Sequence, residues 1–108
     1  RTRPGFDFGI RDIMSFVPTA TPRDAPVVDA TARAIARVLG REPSYISSPG
    51  TYDRKHIVRT GKLKDCIAYG PGILDLAHQP NEYVGIQELV DSAKVMALAS
   101  LTLTGAMR

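Results

Sequence analysis

Two long stretches of the chain repeat apolar residues at helical spacing. Val28, Ala32, Ile35 and Leu39 recur on one side, with Arg33 and Arg37 on the other. This predicts a helix entered through Asp24 as N-cap, with Pro26 in the first turn and Gly40 as the C′ residue. Asp29 and Arg33 stand at i, i+4, a spacing that supports an ion pair. The second stretch carries Ile86, Leu89, Val90, Ala93 and Ala97 and runs to about Leu103. It has Glu88 in its first turn, Lys94 outward and Gly105 beyond its end. Shorter signals lie between. Tyr45–Ile46 reads as a short strand, and 53–59 as a short helix closed by Gly61. The run 65–69, apolar after its first residue and bounded by turn residues, reads as a buried strand. Ile10, Ile13, Met14 and Val17 suit either a helical turn or an edge strand, and a connector with Pro18, Pro22 and Pro26 follows.

The remaining loop, 70–84, runs Gly70-Pro-Gly-Ile-Leu-Asp-Leu-Ala-His-Gln-Pro-Asn-Glu-Tyr-Val84. A turn-rich segment between a strand and a helix is where open α/β sheets place their chemistry. It holds His78, one of two histidines, and Glu82 four positions on.

Composition narrows the class. At 108 residues, 44% apolar and 23% charged, the chain fits at most one ordinary globular domain, or part of one. The chain opens on Arg1 rather than Met, which suggests part of a longer polypeptide. No apolar run nears the ~20 residues that span a bilayer, and no segment resembles a signal peptide. The single cysteine, Cys66, cannot form an internal disulfide, so a reducing, cytoplasmic setting is expected.

An imidazole is a common zinc ligand, and Asp75 or Glu82 is placed to orient it. His78, His56 and Cys66 fall at no recognised metal spacing, and zinc needs three or four protein ligands. A packed or surface histidine is therefore the simpler reading of spacing alone. Gly50-Thr51, in the turn Ser47-Ser-Pro-Gly-Thr51, offers an amide and a hydroxyl to a carboxylate or oxyanion, though a plain turn explains it as well. Gly70-Pro71-Gly72 lacks the full phosphate-loop fingerprints and reads as a tight turn. Arg54, Lys55, Arg59, Lys62 and Lys64 crowd one segment without stacking aromatics. With a net charge of +3 they read as a solvated face rather than a nucleic-acid site. Cys66 reads as core rather than nucleophile, and there is no Gly-x-Ser-x-Gly elbow.

Several elements, in order, resemble the C-terminal end of a zinc metallopeptidase family. That family includes acetylornithine deacetylase, succinyl-diaminopimelate desuccinylase, aminoacylase and carboxypeptidase G. The elements are Gly70-Pro-Gly, then Ala77-His-Gln-Pro-Asn-Glu-Tyr-Val84, then Ile86-x-Glu-Leu-Val and a long helix. Upstream, Ser48-Pro-Gly-Thr-Tyr-Asp53 is similar to the family's Gly-Thr-Ser-Asp turn. Thr21-Pro-Arg-Asp-Ala-Pro-Val-Val28 and Gly40-Arg-Glu-Pro43 resemble the segment before it. Arg1-Thr-Arg-Pro-Gly5 resembles a stretch of the lid domain.

The resemblance implies an α/β fold: 19–108 as the C-terminal part of a catalytic domain, and 1–18 as the remnant of an α+β lid. It implies a hydrolase of N-acylated amino acids or small peptides, using two zinc ions, with cobalt or manganese as alternatives. It implies no nucleic acid or membrane partner, and a homodimer formed through the lid. Residue by residue, it makes His78 a metal ligand and Arg1, Gly50 and Thr51 substrate contacts. Asp53, Asn81 and Glu82 take supporting positions. The family's general-base glutamate and other ligands lie N-terminal to the matched region, so these residues alone are expected to be inactive. Three departures stand out. Tyr52 replaces a frequent Ser, and Arg54-Lys55 replace a small residue and Arg. Only 13 residues separate Gly5 from Thr19, where a lid of several tens is usual. The rival readings are a non-catalytic binding module of the same fold and a small basic nucleic-acid-binding domain.

Overall fold

The computed structural model describes residues 5, 9, 11, 12, 14, 15 and 18–106. Among the described residues are three α-helices, α1 (Pro26–Leu39), α2 (Arg54–Arg59) and α3 (Ile86–Leu103), and one 3-10 turn at Leu74–Leu76. Of the undecided segment 10–17, residues 11, 12, 14 and 15 are described and lie in neither helix nor strand, and most of the expected lid remnant lies outside the described residues.

Both long helices have the expected bounds, but each turns a different face inward. In α1 the buried residues are Val28, Ala30, Thr31 and Ala34. The centre of that face lies roughly a quarter turn from the Val28–Ala32–Ile35–Leu39 line. In α3 the buried residues are Ser92, Val95 and Ala99. They lie roughly half a turn from the expected stripe, whose members Ile86, Leu89, Val90, Ala93 and Ala97 are all exposed. The reason is size. The two helices meet through Ala30, Ala34, Ala99 and the fully buried Val95, with Ile35, Val38 and Leu98 packed at the margin. Small side chains let helix backbones approach closely, and bulky ones are left at the rim. Ser92 is 3% exposed and its hydroxyl has no hydrogen-bond partner, so it serves here by its size. We expect Ser92→Ala to be neutral or to raise stability by up to about 1 kcal/mol, because it removes an unpaired buried hydroxyl. A chemical denaturation curve reads this directly.

Helix ends explain further detail. The N-cap of α1 is Ala25 rather than Asp24, and it makes no side-chain cap bond. The Asp65 carboxylate supplies the missing acceptor from 38 residues away, taking the Val27 N–H at 3.2 and 3.3 Å. Gly40 closes α1 in the left-handed region at φ 66°. At α3 the Gly85 N–H donates to the Glu88 carboxylate at 3.2 Å, half of a capping box. The Asp29–Arg33 pair forms at 3.3 Å on the surface, where such a pair contributes little.

Neither expected strand forms, and the described residues contain no strand at all. The run 65–69 has no regular secondary structure, with 65–67 half-buried and Ala68 and Tyr69 exposed. The Cys66 N–H turns back onto the Lys64 carbonyl at 3.0 Å, which interrupts any ladder geometry. Tyr45 packs its ring under the Arg23 guanidinium, 4.5 Å from the ring centroid. The α/β architecture is thus not present among the described residues, which are helical and looped. The Cα radius of gyration is 18.8 Å, against about 13 Å for a closed domain of this length. Ile86 is 82% exposed, and Leu89, Val90 and Leu101 are nearly half exposed on the same side of α3.

Candidate functional site

The loop 70–84 is built from short turns. The Leu76 N–H donates to the Ile73 carbonyl and the Ala77 N–H to the Leu74 carbonyl, each at 3.0 Å, forming the 3-10 turn. The Gln79 N–H then donates to the Leu76 carbonyl at 3.1 Å, and the Glu82 N–H to the Gln79 carbonyl at 3.2 Å. Between them His78 and Asn81 adopt the left-handed conformation, at φ 62° and φ 60°. Pro80 disfavours the helical conformation at Gln79, which lies between the two left-handed residues. Asn and His are among the non-glycine residues that tolerate this region best. Glu82 closes the turn by accepting the His78 backbone N–H at 3.2 Å. Its carboxylate therefore steadies the main chain at His78. The imidazole itself is exposed, as is Asp75.

The second element is the turn 48–53, which is exposed throughout. The Ser48 hydroxyl accepts the Gly50 N–H at 3.1 Å and lies 2.6 Å from the Tyr52 hydroxyl. A side chain at Gly50 would meet that ring, since a Cβ there lies 3.1 Å from the Tyr52 oxygen. Asp53 serves as N-cap of α2 through its carbonyl, which accepts the His56 N–H at 2.9 Å. Arg1 lies outside the described residues.

Of the basic cluster, Arg59, Lys62 and Lys64 line an open depression of about 670 Å³ with His56, Val58 and Thr60. Arg54 does not join them. Its guanidinium donates to the Cys66 carbonyl and to the hydroxyls of Thr19 and Thr21. The Thr21 hydroxyl in turn bonds the Cys66 carbonyl. These links span 12 to 45 residues of sequence. No local pattern announces them, so the sequence reading missed Arg54, Thr19, Thr21 and Asp65 as organising residues.

The described residues contain no group of three or more His, Cys, Asp or Glu able to hold a metal ion. They offer one imidazole on a stiff turn, which by itself does not make a metal site. No helix among them is long and apolar enough to cross a membrane.

Comparison with known proteins gives this arrangement a context. A model described as peptidase family M20/M25/M40 matches residues 7–102. A Pyrococcus furiosus protein named as a LysW-lysine/LysW-ornithine hydrolase is 36% identical over 94 residues, 86% of this chain and 28% of that protein. The acetylornithine deacetylase of Myxococcus xanthus is 32% identical over 99 residues, 92% of this chain and 24% of its own length. The succinyl-diaminopimelate desuccinylase of Hydrogenovibrio crunogenus is 32% identical over 76 residues, 70% of this chain and 19% of its own. The chain thus spans well under a third of the length of these relatives. No solved structure gives a significant match. With the family model covering nearly the whole chain, in the order the sequence motifs run, the chain belongs to peptidase family M20/M25/M40.

Proposed function

We propose that the protein carrying this chain is a metal-dependent hydrolase that cleaves the amide bond of N-acylated amino acids or small peptides. One observation carries the reading: the family match over 7–102 joins relatives whose names describe removing a group from lysine, ornithine or diaminopimelate. In this reading His78 is one ligand of a zinc pair, held by the turn that Glu82 and Asn81 shape, with cobalt or manganese as substitutes. The other ligands come from polypeptide outside these 108 residues, as does the general base. When bound, the metal pair supplies an activated water and polarises the amide carbonyl. Gly50 and Thr51 face the substrate's carboxylate end with an amide and a hydroxyl, and Arg1 adds a guanidinium suited to a carboxylate.

Residues 19–108 complete an α/β catalytic domain whose sheet covers the open apolar side of α3 and pairs with 65–69. Residues 1–18 belong to a lid through which the protein dimerises. The protein is cytoplasmic and takes neither nucleic acid nor membrane as partner.

The test is an assay of the intact protein on N-acetylornithine, N-succinyl-diaminopimelate and other N-acyl amino acids, before and after chelation. We expect amine release that chelation abolishes and zinc restores, with none from the 108-residue segment alone. Absence of turnover on all of these amides with metal supplied would overturn the reading.

A further inference from the structure

The helix that follows the Gly50–Thr51 turn has no buried residue, so apolar packing does not fix its place. The turn itself bonds mainly within itself and into that helix. The Lys55 N–H donates to the Tyr52 carbonyl at 3.2 Å, and the Ile57 N–H to the Asp53 carbonyl at 3.2 Å. Whatever locates the first turn of α2 therefore locates Gly50 and Thr51. Arg54, the first residue of α2, does this with all three guanidinium nitrogens. Nε donates to the Cys66 carbonyl, Nη1 to Thr19 Oγ1 and Nη2 to Thr21 Oγ1. The acceptors are themselves held. Thr21 Oγ1 bonds the Cys66 carbonyl. The neighbouring Asp65 carboxylate is fixed on the Val27 N–H at the start of α1. The chain from α1 to the turn is thus continuous: α1 start, Asp65, Cys66, Arg54, Gly50–Thr51.

We propose that Arg54 is a positioning residue, which sets where the Gly50–Thr51 turn presents its amide and hydroxyl. It touches no reacting atom and acts through the turn. This rests on the hydrolase reading above, in which that turn meets the substrate's carboxylate end. A planar fork with spread donors suits three separate acceptors; a lysine ammonium keeps the charge but not that geometry.

The experiment uses the intact protein and three variants: Arg54→Met, Arg54→Lys, and Thr19→Val with Thr21→Val. For an N-acyl amino acid we expect KM to rise on the order of tenfold in each, the scale of one charge-assisted hydrogen bond. kcat should stay within about twofold, as for lost ground-state positioning. Combining Arg54→Met with the threonine pair should add little further, since both remove one network. Amide exchange, read in parallel, should quicken at 50–54 in Arg54→Met. An unchanged KM in Arg54→Met overturns the proposal. A raised KM in the Arg54 variants with an unchanged threonine pair also overturns it, because Arg54 would then meet the substrate directly. If the unmodified protein hydrolyses no such amide, the functional reading fails instead. Exchange at 50–54 then decides this inference, and no change there overturns it.

Discussion

Replacing His78 by glycine is expected to lower hydrolysis by the intact protein more than about 100-fold, beyond the roughly 10–100-fold typical when only an outer contact of a metal site is removed. Folding stability should hold or rise. The side chain is exposed, so no core contact is lost. The backbone sits at φ 62°, which glycine adopts without strain. His78→Ala should show the same loss of activity but fold about 1 kcal/mol less stably than His78→Gly, since alanine keeps the Cβ in the left-handed region. Bound metal, measured by elemental analysis, should fall in both variants. A His78→Gly protein that keeps its metal and its rate would remove this residue from the site.

Val95→Asp should have the largest effect on folding. Val95 is 0% exposed where α1 meets α3, among Ala30, Ala34 and Ala99. A carboxylate there has no partner, and the cost is several kcal/mol, comparable with the whole stability of an ordinary domain. Val95→Ala should cost about 1.5–3 kcal/mol through lost burial and the space left behind. Lys94→Gln, one residue away and exposed, should change stability by no more than about 0.5 kcal/mol. Urea denaturation of the three variants tests the assigned face directly. If position 94 proved the sensitive one, the rotation of α3 would be wrong.

Those two sites mark what could be read from the chain beforehand. Helix bounds were legible because local chemistry sets them: Pro26 and Gly40 bracket α1, and Gly105 lies just past the end of α3. The facing was not, because the pattern weighs large apolar residues while the contact selects alanines and a serine. The expected strand at 65–69 failed for a related reason. A strand is a relation to a neighbouring strand, and none of the described residues supplies one. The His78 turn was visible as a cluster of turn formers, but its left-handed pair, separated by Gln79-Pro80, emerged only with the backbone. The Arg54 network was invisible, since its acceptors lie 12 to 35 positions away. In sequence Arg54 is one more cation in a basic run.

The double-sided character of α3 has a practical corollary. Ser92, Val95 and Ala99 are spoken for by α1, which leaves Ile86, Leu89, Val90 and Leu101 as a greasy ridge in contact with water. Purified by itself, the polypeptide should self-associate through that ridge, bind a hydrophobic dye, and melt at a temperature that climbs with concentration.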